Sequence, residues 1–311
     1  MRMMKKLTYH RAYDEFENWY ESLTERQLRQ LQRAYGDVLQ RVKKEISQFW
    51  SKYGKKGKLE LSEMMKYGRM DKMKQTLSKE LTTLARYQNG EIEQMLFETY
   101  KERYNFIGWA AEQFTGVNVN WYTLPKDAIK KALQNPISGL TLNEVLEKRR
   151  NEIIWEIQQE IVQNITKGEP YRTTANRLKD TMQNNFNKAQ RIVWTESHRV
   201  KEQSSLEATQ DLKRKGLETK RMWDATLDSK TRPTHQRLDG QVEDENGYFH
   251  VGGMKTKGPG MFGIASQDIN CRCTTINVFD EKHPDKRYIR GRGVTDYMTY
   301  DEWKNQKKTV Y

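Results

Sequence analysis

Residues 22–53, SLTERQLRQLQRAYGDVLQRVKKEISQFWSKY, set Leu28, Leu31, Tyr35, Val38, Leu39, Val42, Ile46 and Phe49 on one stripe. Apolar residues three and four apart over this length can bury only one face. The segment must therefore fold as an amphipathic helix against neighbours of the same kind. Thr24 followed by Gln27 reads as a capping box, and Gly54 as a stop.

The same period returns twice. Residues 62–113 read as one or two helices, through Met65, Leu77, Leu81 and Leu84, then Ile92, Met95, Leu96, Tyr100, Tyr104 and Ile107, with Asn89-Gly90 as the break. GVNVNWYTLP, 116–125, has the look of a linker or short strand. A second block opens with a Thr141/Glu144 capping box, continues through Val145, Ile154, Ile157, Ile161 and Ile165, and ends at Gly168 and Pro170. A short helix over 171–182 and a longer one over 186–215 complete the helical part.

After Gly216 the pattern changes. TKRMWDAT and CTTINVF read as strands, and seven glycines fall between Gly240 and Gly263, so loops and turns dominate. The fold class expected is mainly α with a C-terminal α+β module: an elongated helical N-terminal region, then a small loop-rich mixed domain. In chain order this gives a helical region over 1–120, a linker over 121–136, a helical stem over 137–216, a loop-rich module over 217–280 and a tail over 281–311.

A mean hydropathy of −1.01 raises the question of disorder. Eight Trp, 16 Tyr and nine Phe argue for folded elements, since each buried ring removes a large area from water. The formal charge is +13. Such an excess suits an acidic neighbour such as nucleic acid, or else a solvated basic surface. Lys52, Lys55, Lys56 and Lys58, in SKYGKKGK without an acid, are the candidates for contact with a DNA backbone; DLKRKG, 211–216, is a further stretch. No signal peptide or membrane-length apolar run is visible. Two cysteines in 311 residues point to a reducing compartment.

DSKTRPTHQRLDGQ, 228–241, and NCRC, 270–273, stand apart from the rest. Three readings apply. As a metal site, Cys271 and Cys273 face one side of an extended segment and His235 adds a nitrogen, a donor set zinc accepts; His198, Asp228 or His250 would be the fourth ligand. As a catalytic site, Asp228, Arg232 and His235 supply a base, an anion clamp and a proton shuttle, joined by Glu196 and His198. As a structural set, Asp228 caps a helix starting near Ser229, Arg232 pairs with a carboxylate such as Glu196, and His235 makes internal hydrogen bonds. Asn270 and Gly240 then serve turns, and the cysteines are small buried hydrophobes. We adopt the structural reading.

RIVWTESHR, WDATLDSKTRPTHQRLDGQ, the glycine-rich loop with Phe249 and Pro259, and INCRCTT stand in an order that resembles the Mu-F-like head morphogenesis family of tailed-phage minor head proteins. The resemblance covers roughly 137–280 and rests on Thr195, Glu196, Trp223, Asp228, Thr231, Arg232, His235, Gly240, Asn270, Cys271, Arg272 and Cys273. The family often has Arg before the Thr-Glu pair, where this chain has Trp194.

The resemblance implies a virion component that associates with the portal protein and affects procapsid assembly, DNA packaging or ejection. Residues 1–120 would contact the portal or capsid. Major capsid or scaffolding protein and double-stranded DNA are further partners, and no membrane is. The place is the capsid interior, after assembly in host cytoplasm. No catalytic residue is carried over from the family; no cofactor is expected, and zinc is left open by the residues alone. The alternatives are a non-specific DNA-binding protein of the phage head and a metal-dependent hydrolase or toxin-like domain.

Overall fold

A computed structural model describes residues 9–122, 124, 126–133, 142–226, 228–279, 286–289 and 293–296. Among the described residues six α-helices come first: α1 (Tyr9–Tyr53), α2 (Leu61–Met65), α3 (Arg69–Thr115), α4 (Lys126–Leu133), α5 (Leu142–Thr166) and α6 (Tyr171–Arg214), with a 3-10 turn at Lys66–Gly68 between α2 and α3. Then follow β1 (Lys220–Asp224), α7 (Pro233–Gln236), β2 (Phe249–Val251), β3 (Met254–Thr256), α8 (Ala265–Asp268), β4 (Thr274–Val278), β5 (Lys286–Ile289) and β6 (Gly293–Asp296). The mainly α chain with a small α+β C-terminal part is as expected.

Several boundaries differ from the sequence reading, each for a local reason. α1 begins well before residue 22, so Thr24 lies inside it and its hydroxyl donates to the Tyr20 carbonyl, one turn back, instead of capping. α3 runs through Asn89-Gly90 without a break, because Leu81, Leu84, Ile92 and Met95 keep one buried face in phase across it. α6 is continuous over the segment read as two helices, with Leu178, Met182, Phe186, Ala189 and Val193 buried in sequence. The segment read as a linker, 121–136, contains α4, and Trp121 is buried. Thr141 of the second capping box and most of the C-terminal tail lie outside the described residues.

The stops follow ordinary backbone rules. Gly54 N–H bonds the Trp50 carbonyl at the end of α1. After α5, Gly168 takes a left-handed conformation (φ 64°), and Glu169 N–H reaches the Asn164 carbonyl at 2.9 Å. In the basic turn, Lys56 (φ 50°) and Gly57 (φ 76°) form a two-residue hairpin between paired Lys55 and Lys58.

By internal contacts the chain divides into two compact units, each discontinuous in sequence: Met1–Thr24 with Met95–Ser138 and Trp194–Tyr311, and Glu25–Gln94 with Gly139–Val193. The second unit is all helix. Its core combines Leu31, Val38, Val42 and Ile46 of α1, Leu77 and Leu81 of α3, Ile153, Ile157, Ile161 and Ile165 of α5, and Leu178 and Met182 of α6. In α5 it is Ile153 that continues the buried row upstream of Ile157, and Ile154 is only half-buried.

The first unit holds the start of α1, the end of α3, the end of α6 and the mixed module. β1 pairs antiparallel with β4, with Trp223 opposite Thr275. Its other edge is covered by 240–243: Trp223 N–H donates to Gln241, and Gly240 N–H to Trp223. β2–β3 and β5–β6 are separate two-stranded ribbons. A small apolar cluster of Trp223, Ala225, Leu238, Phe249, Val251, Cys271 and Cys273 fills the module, with Met254 and Phe262 against it.

Candidate functional site

The two sequences singled out above meet in this module. Thr226 and residues 228–236 lie along 267–273, and a series of polar ties joins them. The Asp228 carboxylate takes two bonds from the Arg272 guanidinium, at 2.5 and 2.6 Å, and also accepts from Lys230 N–H. Arg272 holds the Asp228 carboxyl well below the usual carboxylate range. Arg232 donates to the Ile269 carbonyl at 2.5 Å, Thr226 to the Arg272 carbonyl at 2.9 Å, and Thr234 to Gln267 at 2.9 Å. Thr231 closes its own turn on Thr226 and Asp228.

Two sequence expectations fail here. Asp228 caps a turn and no helix: α7 starts only at Pro233, which fits the first helical position because it lacks an N–H. Glu196 pairs with its own-helix neighbour Arg199, at 3.1 Å, and not with Arg232. Burial raises the Glu196 carboxyl, and the Arg199 charge opposes this. Asn270 (φ 58°) and Gly240 (φ 72°) make left-handed turns. The Thr195 hydroxyl has no hydrogen-bond partner among the described residues.

His235 sits at the centre. Its ring stacks on Phe262 (centroids 5.6 Å, 18°) and meets the edge of Trp223 (5.5 Å, 84°). Its Nδ1 lies 3.5 Å from Cys271 Sγ and 3.5 Å from Cys273 Sγ. All three residues are buried, and both thiols are free. Within this coupled pair Cys273 is the one favoured as thiolate, because the Cys271 S–H donates to it and His235 adds to the effect. The other nitrogens proposed as a fourth ligand differ in availability. His250 is exposed and bound to Asp244 at 2.8 Å, whereas His198, on α6, is buried with no partner for Nε2 among the described residues. Burial, and next the Lys201 charge, lower the His198 imidazole to about 3, so it is neutral.

A second polar set was not legible in the sequence. Arg103 of α3 is fully buried; it donates to Ser205 Oγ (2.6 Å) and the Thr275 carbonyl (2.7 Å), and lies 3.6 Å from Glu17. Lys201 joins Glu17 at 2.5 Å. Glu202 accepts from Thr274 Oγ1, Thr275 N–H and Thr275 Oγ1 at 2.7–3.1 Å. Arg221 binds Glu243 at 2.7 Å, and Asp268 accepts from Phe262 and Ile264 N–H. The only signal for Arg103 was a charge inside an apolar stripe, between Tyr100, Tyr104 and Ile107.

The basic candidates also separate. Lys52, Lys55, Lys56 and Lys58 are exposed and form no salt bridge among the described residues. Around 211–216, Lys213 is bound to Glu243, Arg214 to Asp211, and Lys215 to the Asn120 carbonyl.

Comparison with known proteins decides the kinship. The family described as Phage Mu protein F like protein matches residues 155–276, which contain α6 from its start, the polar ties and both cysteines. The minor head protein GP7 of Bacillus phage SPP1 is 32% identical over 305 residues, covering 95% of this chain and 97% of the relative. The chain belongs to the Mu-F-like phage minor head proteins. A second relative by sequence is the NAD(+)--arginine ADP-ribosyltransferase EFV of Enterococcus faecalis strain ATCC 700802 / V583. It is 31% identical over 204 residues, 65% of this chain, and the match spans 42% of that relative's length. No solved structure matches this Mu-F-like chain.

Proposed function

We propose that this chain is a non-enzymatic minor head protein that joins the portal during procapsid assembly and affects packaging or ejection of the genome. The observation that carries the reading is the 32% identity with a minor head protein over 95% of this chain. The chemistry agrees. Two of the side chains a hydrolase would need are engaged elsewhere, Asp228 by Arg272 and Arg232 by a backbone carbonyl, and His235 is buried. Among the described residues no helix is long and apolar enough to cross a membrane. The capsid interior, reached from host cytoplasm, is the place this reading assigns.

The test is co-purification with the cognate portal protein, followed by mass determination of the complex. A stable complex at micromolar concentration is expected. Its absence, with both proteins folded, would overturn the reading.

A second reading is DNA contact, favoured by the exposed lysines of the hairpin at 55–58 and by Lys52, which form no salt bridge among the described residues. Phosphate contacts release counterions, so affinity should fall steeply with salt and show no base preference. Replacing the four lysines by Gln should flatten that salt dependence. Unchanged binding would place the contact elsewhere.

A further inference from the structure

We propose that His235 Nδ1, Cys271 Sγ and Cys273 Sγ bind a thiophilic divalent cation of the zinc class, which fastens α7 to the loop preceding β4. The first argument is geometric. Zinc bonds of about 2.3 Å to sulfur and about 2.0 Å to nitrogen, at tetrahedral angles, give nitrogen-to-sulfur edges of about 3.5 Å. Both such distances here are 3.5 Å, and the three donor atoms lie within 4.8 Å of one another. Both nitrogen-to-sulfur edges thus match those of a tetrahedral site.

The second argument is a mismatch with simple hydrogen bonding. A ring nitrogen offers either one in-plane lone pair or one N–H, and so serves one partner well. Two sulfurs converge on Nδ1, one more than the ring nitrogen can serve, so without a cation the Cys271 S–H turns to Cys273 instead. A cation placed between them uses all three lone pairs at once. The third argument is the surroundings. Trp223, Leu238, Phe249 and Phe262 enclose the cluster in apolar material, where a charge shared with two thiolates is strongly favoured over isolated ions. The module's ribbons are short, and small scaffolds of this kind gain much of their order from staples.

Binding displaces the protons of both thiols to solvent, so the cation is held by two thiolates and a neutral imidazole. The role is structural and does not depend on what the chain assembles with.

The full chain, purified without an affinity tag, is the material for the test. Elemental analysis should find stoichiometric zinc that survives dialysis. The chain stripped with a chelator should take up cobalt(II) stoichiometrically, with the thiolate-to-cobalt charge-transfer bands that only sulfur ligation produces. Stripping should also lower Tm, and zinc should restore it. Cys273→Ser should abolish the charge-transfer bands or weaken them strongly. If that variant does not fold, the wild-type cobalt spectrum still reports the ligands. Absence of uptake by the folded wild-type chain, or uptake without charge-transfer bands, would overturn the proposal.

Discussion

His198 illustrates how one side chain sets a stability limit. Its ring is buried and neutral in the folded chain, with its titration lowered from 6.5 to about 3. Unfolding exposes it, so below pH 6.5 the unfolded chain takes up a proton that the folded chain does not. The contribution to stability is complete above pH 6.5 and is lost as pH falls towards 3, with a limiting slope of about 1.4 kcal/mol per pH unit. His198→Gln should therefore flatten the acid side of a stability profile measured by urea unfolding at several pH values. Asn270 shows a backbone constraint. At φ 58° it occupies a region that Asn and Gly tolerate and β-branched residues do not. Asn270→Gly should leave Tm nearly unchanged, and Asn270→Val should cost about 1–2 kcal/mol by thermal unfolding. Neither burial at 198 nor the sign of φ at 270 is visible in the letters. Asn270 as a turn residue was legible, because the Asn side chain favours turns.

Helices were the most legible elements, and their glycines separate propensity from packing. Gly36 in α1 has open space around the position of an added methyl. Gly36→Ala should stabilise by about 1 kcal/mol, since glycine loses more backbone freedom in a helix. Gly108 in α3 is the opposite case. A methyl there would meet the Trp121 indole at 2.2 Å. Gly108→Ala should destabilise by about 1–3 kcal/mol despite its better propensity, because a close-packed ring has little room to withdraw. Chemical denaturation of both variants checks the pair. Apolar spacing located α1, α3, α5 and α6, since a 3.6-residue period follows directly from burial of one face. It misplaced internal ends at residues 22, 89 and 183–185. A Thr or Gly signal caps or breaks a helix only where the apolar face also stops, and here it did not.

For the whole molecule, the compact units cut across chain order. The mixed module shares its unit with the first turns of α1 and the last of α3, whose Tyr13, Phe16, Tyr20, Tyr100, Arg103 and Tyr104 are buried there. Tyr20 and Ser197 hydroxyls meet at 2.8 Å, and Asn277 N–H donates to Tyr13. A fragment of residues 137–280 lacks those partners. We expect it to show no cooperative thermal transition and to be cut rapidly by protease, unlike the full chain. A sharp transition in the isolated fragment would mean the family-matched segment folds unaided. The family itself was readable, because the order of Thr195-Glu196, Trp223, Asp228 and NCRC is a property of the sequence. The grouping of Glu17, Arg103 and Lys201 was not.

The sequence by itself determined the helical class, the mixed C-terminal module, the basic character and the kinship. Each of these depends on spacing or composition along the chain, where local forces act. Only the tertiary structure decided that the two polar motifs lock onto each other, that two sulfurs converge on one ring nitrogen, and that charges on distant helices share one buried network. Those outcomes depend on which surfaces meet, and residues tens to hundreds of positions apart leave no local periodicity to announce their contact.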